Sequence, residues 1–217
     1  MFARFRRRYL DVLASVYIYN EHRGYTSIDR VLEAVVVRHP EAADFIAEVK
    51  KHRADERKHY KMFRRYFELK GEMPLAVDRT CGHIDHFIRL IFGCTIDDLD
   101  TGAVTGDETM FRTLCRVIAL TEMRGLRQVD VLLRSAAVRS DPVLHRIFTI
   151  IERDEPDHFL PYVHWLEATG GAGWRKRERL ADWWIHKSLM LAKLPAVFLN
   201  PRMPRLADWP DAADATA

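Results

Sequence analysis

Two parts of this chain, about a hundred residues apart, carry the same succession of polar residues. The first holds NEHRG, with Glu21, Arg23 and Gly24, and then DERKHY, with Asp55, Glu56, His59 and Tyr60. The second holds TEMRG, with Glu122, Arg124 and Gly125, and then DEPDHF, with Asp154, Glu155, His158 and Phe159. Glu21 and Glu122 are 101 residues apart, and Glu56 and Glu155 are 99 apart, so the halves run nearly in register. A repeat of this kind asks for two like structural units, and its acids and histidines ask for a common reason.

Apolar spacing makes each unit a helical hairpin. Helical periodicity runs from about Phe5 to Arg38, ends at His39-Pro40, and resumes from Glu41 to about Lys70, before Gly71 and Pro74. The second hairpin runs from about Asp107 to Arg139. After Ser140-Asp141 as N-cap and Pro142 at the first helical position, it continues to about Thr169. One shorter helix near Asp78 to Phe92 occupies the crossover. Gly170-Gly171-Ala172-Gly173 marks a joint before a last helix, and no alternating strand pattern of any length occurs. The expected fold is all-α: a four-helix bundle of two repeated hairpins with a long crossover over residues 1–170, then a C-terminal amphipathic helix and tail over 171–217.

Composition sets the surroundings. With 217 residues and 48% hydrophobic content the chain can bury a core of its own. A net charge of +3, from 34 basic and 31 acidic residues, gives no reason to expect a nucleic-acid partner. Cys81, Cys94 and Cys115 form no C-x-x-C pair and are odd in number, which reads as reduced thiols in a cytoplasmic protein. Asp11 interrupts the apolar run LDVLASVYIY behind the N-terminal arginines and no small-residue cleavage site follows, so this segment is read as mature sequence.

Helix geometry then brings the repeated acids together. Glu56 and His59 are three residues apart and share a helix face, as do Glu155 and His158. From Glu21 to the turn is about 26 Å of helix and the return from Glu41 to Glu56 about 23 Å, so Glu21 comes level with Glu56. By the same count, about 26 Å down and about 20 Å back bring Glu122 to Glu155. Four carboxylates could not be buried together unpaired without taking up protons. Two divalent ions balance the four charges of Glu21, Glu56, Glu122 and Glu155 and leave His59 and His158 neutral. A Glu from each of two helices and a Glu-x-x-His from each of two others is a known ligand set for bundle di-iron and di-manganese sites, and mixed oxygen and nitrogen donors favour iron or manganese.

On these residues the chain resembles the ferritin-like di-iron carboxylate proteins, of the rubrerythrin and di-iron oxygenase kind, over roughly Phe5 to Thr169. The resemblance implies two iron ions, or manganese or a mixed pair, held by Glu21, Glu56 and His59 on one side and Glu122, Glu155 and His158 on the other. One Glu of each Glu-x-x-His pair is able to bridge. It further implies that Asp55 and Asp154, each preceding a ligand Glu, orient His158 and His59 respectively. Many oxygen-activating members place Arg just before the His, where this chain has Lys58 and Asp157. Rubrerythrin-type peroxidases commonly carry another Glu where Gly125 stands, and iron-storage ferritins usually lack the second complete Glu-x-x-His. The implied activity is therefore an oxidoreductase using dioxygen or peroxide on an organic, hydrophobic or lipid-like substrate, with electrons from a separate reductase. Peroxide or Fe(II) detoxification and a non-enzymatic helical adaptor are the alternatives.

Other features stay open at this level. Tyr17, one turn before Glu21, reads either as a neighbour of the metals or as a core tyrosine. Pro156 is expected to free the Glu152 carbonyl and bend its helix beside Glu155. Cys81, His83, His86 and Cys94 follow no zinc spacing. RKRERLADWWIHKSLMLAKLPAVFL is too short and too interrupted to span a membrane. It suits packing on the bundle, a second copy of the chain, or peripheral contact with the inner face of a membrane.

Overall fold

The computed structural model describes residues 2–211, and these form an all-helical protein. Four long helices make the body: α1 (Phe2–Arg38), α2 (Ala43–Lys70), α5 (Glu108–Arg134) and α7 (Pro142–Ala168). Between α2 and α5 lie a 3-10 turn (Arg79–Cys81), α3 (His83–Phe92) and α4 (Thr101–Gly106). A single turn, α6 (Ala136–Arg139), separates α5 from α7, and α8 (Lys176–Ser188) and α9 (Leu194–Leu199) follow. The only β-type pairing among the described residues is an isolated bridge between Leu75 and Arg205.

Local chemistry sets the ends of the long helices. The Asp107 carboxylate accepts from the amides of Thr109 and Met110, and Asp141 accepts from those of Val143 and Leu144 with Pro142 behind it, so donors that helix starts leave over are satisfied. At the other end of α2, Gly71 adopts φ 63°, a conformation costly for any residue with a Cβ, and the amides of Gly71 and Glu72 cap the Glu68 and Phe67 carbonyls. Both α7 prolines, Pro156 and Pro161, lie inside a helix that continues through them.

Helix α1 packs on α2, α5 on α7, and α2 on α7, while α1 also meets α5. The α1–α2 pair is antiparallel, since Glu21 lies beside His59 and Asp29 pairs with Arg53. Across α2 and α7, Lys51 meets Asp157 and Lys58 meets Asp154, again in antiparallel order. The interior is divided lengthwise. One apolar cluster holds Ile28, Val49, Ile118, Tyr162 and Trp165, and the other Ala14, Phe63, Phe148 and Ile151. On each long helix the repeated acids and histidines fall between the residues of these two clusters.

Several elements differ from the sequence expectation: the crossover helix starts at His83 behind a 3-10 turn, not near Asp78. Helix α2 starts at Ala43, not Glu41. Helix α5 ends at Arg134, because Ser135 is extended (ψ 129°) and 136–139 forms a separate turn. Helix α4 has two glycines and no propensity to announce it. Capping by Asp100 and burial of Val104 hold it in place. The last helix is not continuous, for Pro195 has no amide to donate back, and the turn ahead of it (Leu189–Lys193) widens into a π-helix before α9.

The repeat extends to a third helix in each half. Arg23 of α1 clasps Asp85 of α3 at 2.8 Å, and Arg124 of α5 clasps Asp182 of α8, Nε to Oδ1 2.6 Å. Helix α8 is further fixed by Arg116 and Glu178, which are 2.8 Å apart with side chains only 3% and 2% exposed. Removing one partner of such a pair strands a buried charge. Arg116→Met is expected to cost about 3 kcal/mol or more in urea unfolding, with most of that recovered by adding Glu178→Leu. Removing Arg134, which meets Asp130 on the surface, should cost under about 1 kcal/mol.

Candidate metal centre

Glu21 projects from α1, His52, Glu56 and His59 from α2, Glu122 from α5, and Glu155 and His158 from α7, and all seven are buried. Two sets of their ligating atoms converge closely enough to hold a metal ion: Glu21, Glu56 and His59, and His52, Glu56, Glu122 and His158. Glu56 belongs to both. Its Oε1 lies 3.8 Å from His59 Nδ1 and 3.3 Å from His158 Nδ1, so this carboxylate sits between the two sets. Glu155 joins neither set as the side chains stand. Its Oε2 is 3.9 Å from His158 Nδ1, buried and without a hydrogen-bond partner.

His59 is held from behind by a hydrogen bond, and His158 has an aspartate standing in the same place. His59 turns Nδ1 toward Glu21 Oε2 at 3.4 Å while its Nε2 meets Asp154 Oδ2 at 3.1 Å. His158 turns Nδ1 toward Glu56, with Asp55 3.7 Å from its Nε2. Each aspartate thus reaches across from the other hairpin. Lys58 ties them together, bonding to Asp55 and lying 2.8 Å from Asp154. The lysine in the position before His59 therefore serves both aspartates, while Asp157 pairs outward with Lys51.

The electrostatics are those of crowded acids in a dry interior. Burial, with the Glu56 charge added, pushes Glu21 up to about 7, and burial pushes Glu155 up to about 8. Glu122 is driven well above the usual range by burial and then by Glu56 and Glu155. Burial acts on Glu56 in the same direction, but the imidazoles of His158 and His59 overrule it and hold it low. Burial depresses His158, yet Asp55 and Glu56 carry it up to about 9. Buried His52, next to His158, is held well below the ordinary imidazole value and is neutral.

Several buried polar atoms here have no hydrogen-bond partner: His52 Nε2, His59 Nδ1, both ring nitrogens of His158, and Glu155 Oε2. Such atoms are expensive unless something binds them. Carboxylate oxygens and imidazole nitrogens facing one point suit iron- or manganese-type divalent ions, so the residues fit the implied metal. The Tyr17 hydroxyl is also buried and unpartnered. Burial and the charges of Glu21 and Glu155 raise its pKa, which keeps the phenol protonated beside the acids.

His52 was not singled out from sequence. The signal was there, since His52 lies four residues before Glu56 and seven before His59 and shares their face of α2. Glycines were the other silent participants. A Cβ on Gly24 would collide with Glu56 Oε2, and one on Gly125 would stand 3.0 Å from Glu155 Oε1, so the Arg-Gly of each half leaves room for a carboxylate on the facing helix. Cys81 and Cys94 belong to neither metal set. His83 instead approaches Asp182 at 3.4 Å. A cleft of about 420 Å³, lined by Tyr19, Arg23, Tyr60 and Asp85 among others, opens on the side of α1 turned away from Glu21 and is not a chamber of the centre.

No family model matches the sequence, and comparison with curated proteins and with solved structures found no significant similarity.

The glycine cradle can be tested directly. Gly24→Ala gains up to about 1 kcal/mol of helix preference, which offsets part of the cost of moving Glu56 in the metal-free fold. It should lower Fe(II) affinity at least about tenfold by displacing Glu56, with a smaller loss for Gly125→Ala. Calorimetric titration alongside thermal melts of the metal-free proteins separates the two effects.

Proposed function

We propose that the protein is a ferritin-like, non-haem di-iron oxidoreductase that uses dioxygen or peroxide to oxidise an organic, hydrophobic substrate, with electrons from a separate reductase. The observation that carries this reading is the convergence of Glu21, Glu56 and Glu122 with three imidazoles, several with unpartnered atoms and with buried Glu155 beside them, from four long helices. Glu21, Glu56 and His59 would hold one ion, and Glu122, Glu155 and His158, joined by Glu56, the other. A reduced pair of such ions supplies two electrons to dioxygen or peroxide.

The chain's own contribution is positional. Asp154 bonds His59 and fixes its ring plane, and Asp55 stands behind His158. His158 and then Lys58 hold the Asp55 carboxyl low, and Lys58 and His59 hold Asp154 low against its burial. Apolar clusters on both sides exclude water, which strengthens every charge interaction between them. Tyr17 presents a hydroxyl that burial and the charges of Glu21 and Glu155 keep protonated, a hydrogen-bond donor at Oη within the dry interior. The dense packing of Tyr17 against Phe63 and Phe148 favours a second reading, in which peroxide or Fe(II) itself is the substrate.

Anaerobic titration with Fe(II) tests the centre before any substrate is known. About two tight sites per chain are expected, and admitting dioxygen should produce ferric charge-transfer absorption. Both should be lost in Glu56→Ala. Absence of tight binding to the wild-type chain would end the dimetal reading. Rapid turnover of peroxide or Fe(II) with no organic product would select the second reading.

The outer face of α8 bears on the substrate. Among the described residues no helix is long and apolar enough to cross a membrane. Ala181, Ile185 and Leu189 face the bundle, whereas Leu180, Trp183, Trp184 and Leu191 face outward, the two tryptophans 51% and 61% exposed. Exposed Lys176, Arg177, Arg179 and Lys187 accompany them. Tryptophan with cations matches the interface of an anionic lipid layer, to which we assign this face. The full chain should sediment with vesicles containing phosphatidylglycerol and much less with phosphatidylcholine alone, and Trp183→Ala with Trp184→Ala should abolish binding. Failure to bind, with self-association that those substitutions abolish, would assign the face to a second copy instead.

A further inference from the structure

The two halves match around the centre except where the match would be most visible. Four residues before Glu155 stands Ile151, where the first half has His52 before Glu56. Four residues after His59 stands Phe63, where the second half has Tyr162 after His158. All four side chains are buried. The two departures are in contact with each other: the Tyr162 hydroxyl lies 3.1 Å from His52 Nδ1.

That bond fixes what His52 offers. With Nδ1 engaged by Tyr162, its Nε2 is left buried and unpartnered, 3.7 Å from Glu122 Oε1 and 3.9 Å from Glu56 Oε1. The ring stacks on His158 with centroids 4.3 Å apart, so two imidazoles present nitrogens to the same point. On the opposite side, the corresponding space is filled by Ile151 and Phe63 in the apolar cluster around Phe148. There His59 is the single imidazole of its set.

Resting on the dimetal reading above, we infer that the two metal positions are inequivalent, with His52 Nε2 a third histidine ligand, oriented by the Tyr162 hydroxyl, to the ion shared by Glu56, Glu122 and His158. This position has two nitrogen donors and the Glu21–His59 position has one. The His52 position offers four converging donors against three, and its extra one is an imidazole, a ligand type that suits iron. The centre therefore fills in order, the His52 side first.

The experiment is an anaerobic titration of the full-length metal-free chain with ⁵⁷Fe(II), followed by competition with a chelator and by Mössbauer spectroscopy, and repeated with Mn(II) for pulsed EPR. Wild type is expected to load in two steps with two distinct quadrupole doublets. At the first Mn(II) equivalent, two directly bound imidazole nitrogens are expected. His52→Gln should remove one of those nitrogens, weaken the first step at least about tenfold and leave the second unchanged. Tyr162→Phe, which keeps the ring and removes only the hydroxyl, should weaken the first step by less while both nitrogens remain. A role in packing alone would not change the nitrogen count. Two Fe(II) bound by wild type and His52→Gln with the same affinities and doublets would overturn the inequivalence and leave the dimetal reading standing. Absence of binding to wild type would overturn both.

Discussion

The cost of holding Glu21, Glu56, Glu122 and Glu155 in one dry space governs this molecule. An isolated carboxylate moved from water to a medium of low dielectric loses tens of kcal/mol of solvation in the idealised limit, so a protein that buries four must answer each one. Three of them respond by shifting upward toward protonation, and only Glu56, flanked by His59 and His158, is held low. The remaining architecture keeps that concentration of charge together. Apolar clusters close it on both sides, Asp154 holds His59 while Asp55 stands behind His158, and one lysine joins the two aspartates.

What the sequence made legible was whatever the repeat wrote twice. The all-helical character and the approach of Glu21 to Glu56 followed from spacing, whereas the pairing of Asp154 with His59 was implied only by the family resemblance. What stayed hidden was written once or depended on the partner helix. His52 has no counterpart in the second half, and its meaning depends on Tyr162, 110 residues away. Gly24 and Gly125 were visible as repeated letters, but their purpose lies in carboxylates on the facing helices. Helix α4 and the widened turn before Pro195 arise from tertiary packing and a missing amide, neither of which periodicity reports.

The duplicated plan is larger than the four long helices. Arg23 and Arg124 follow the α1 and α5 acids by two residues and turn to the outside, where each binds an aspartate of a further helix, Asp85 on α3 and Asp182 on α8. The residues that serve the interior and those that recruit the outer helices thus alternate along the same stretch of chain. In the first half the outer helix forms part of the crossover, and in the second it is the helix that carries the tryptophan face. The same anchor therefore holds elements with different duties.

The return paths of the hairpins have equal length: Glu56 lies 13 residues beyond Ala43, and Glu155 lies 13 beyond Pro142. The outgoing paths do not, since α1 continues 17 residues past Glu21 and α5 only 12 past Glu122. The longer connection through Ser135 and α6 takes up most of the difference. A residue inserted within a helix turns everything beyond it by about 100° and would swing a carboxylate out of the interior. Inserted at a connection, it changes only how far the chain travels before turning back. The two turns are thus the places where this protein can drift in length over generations without losing alignment at its centre.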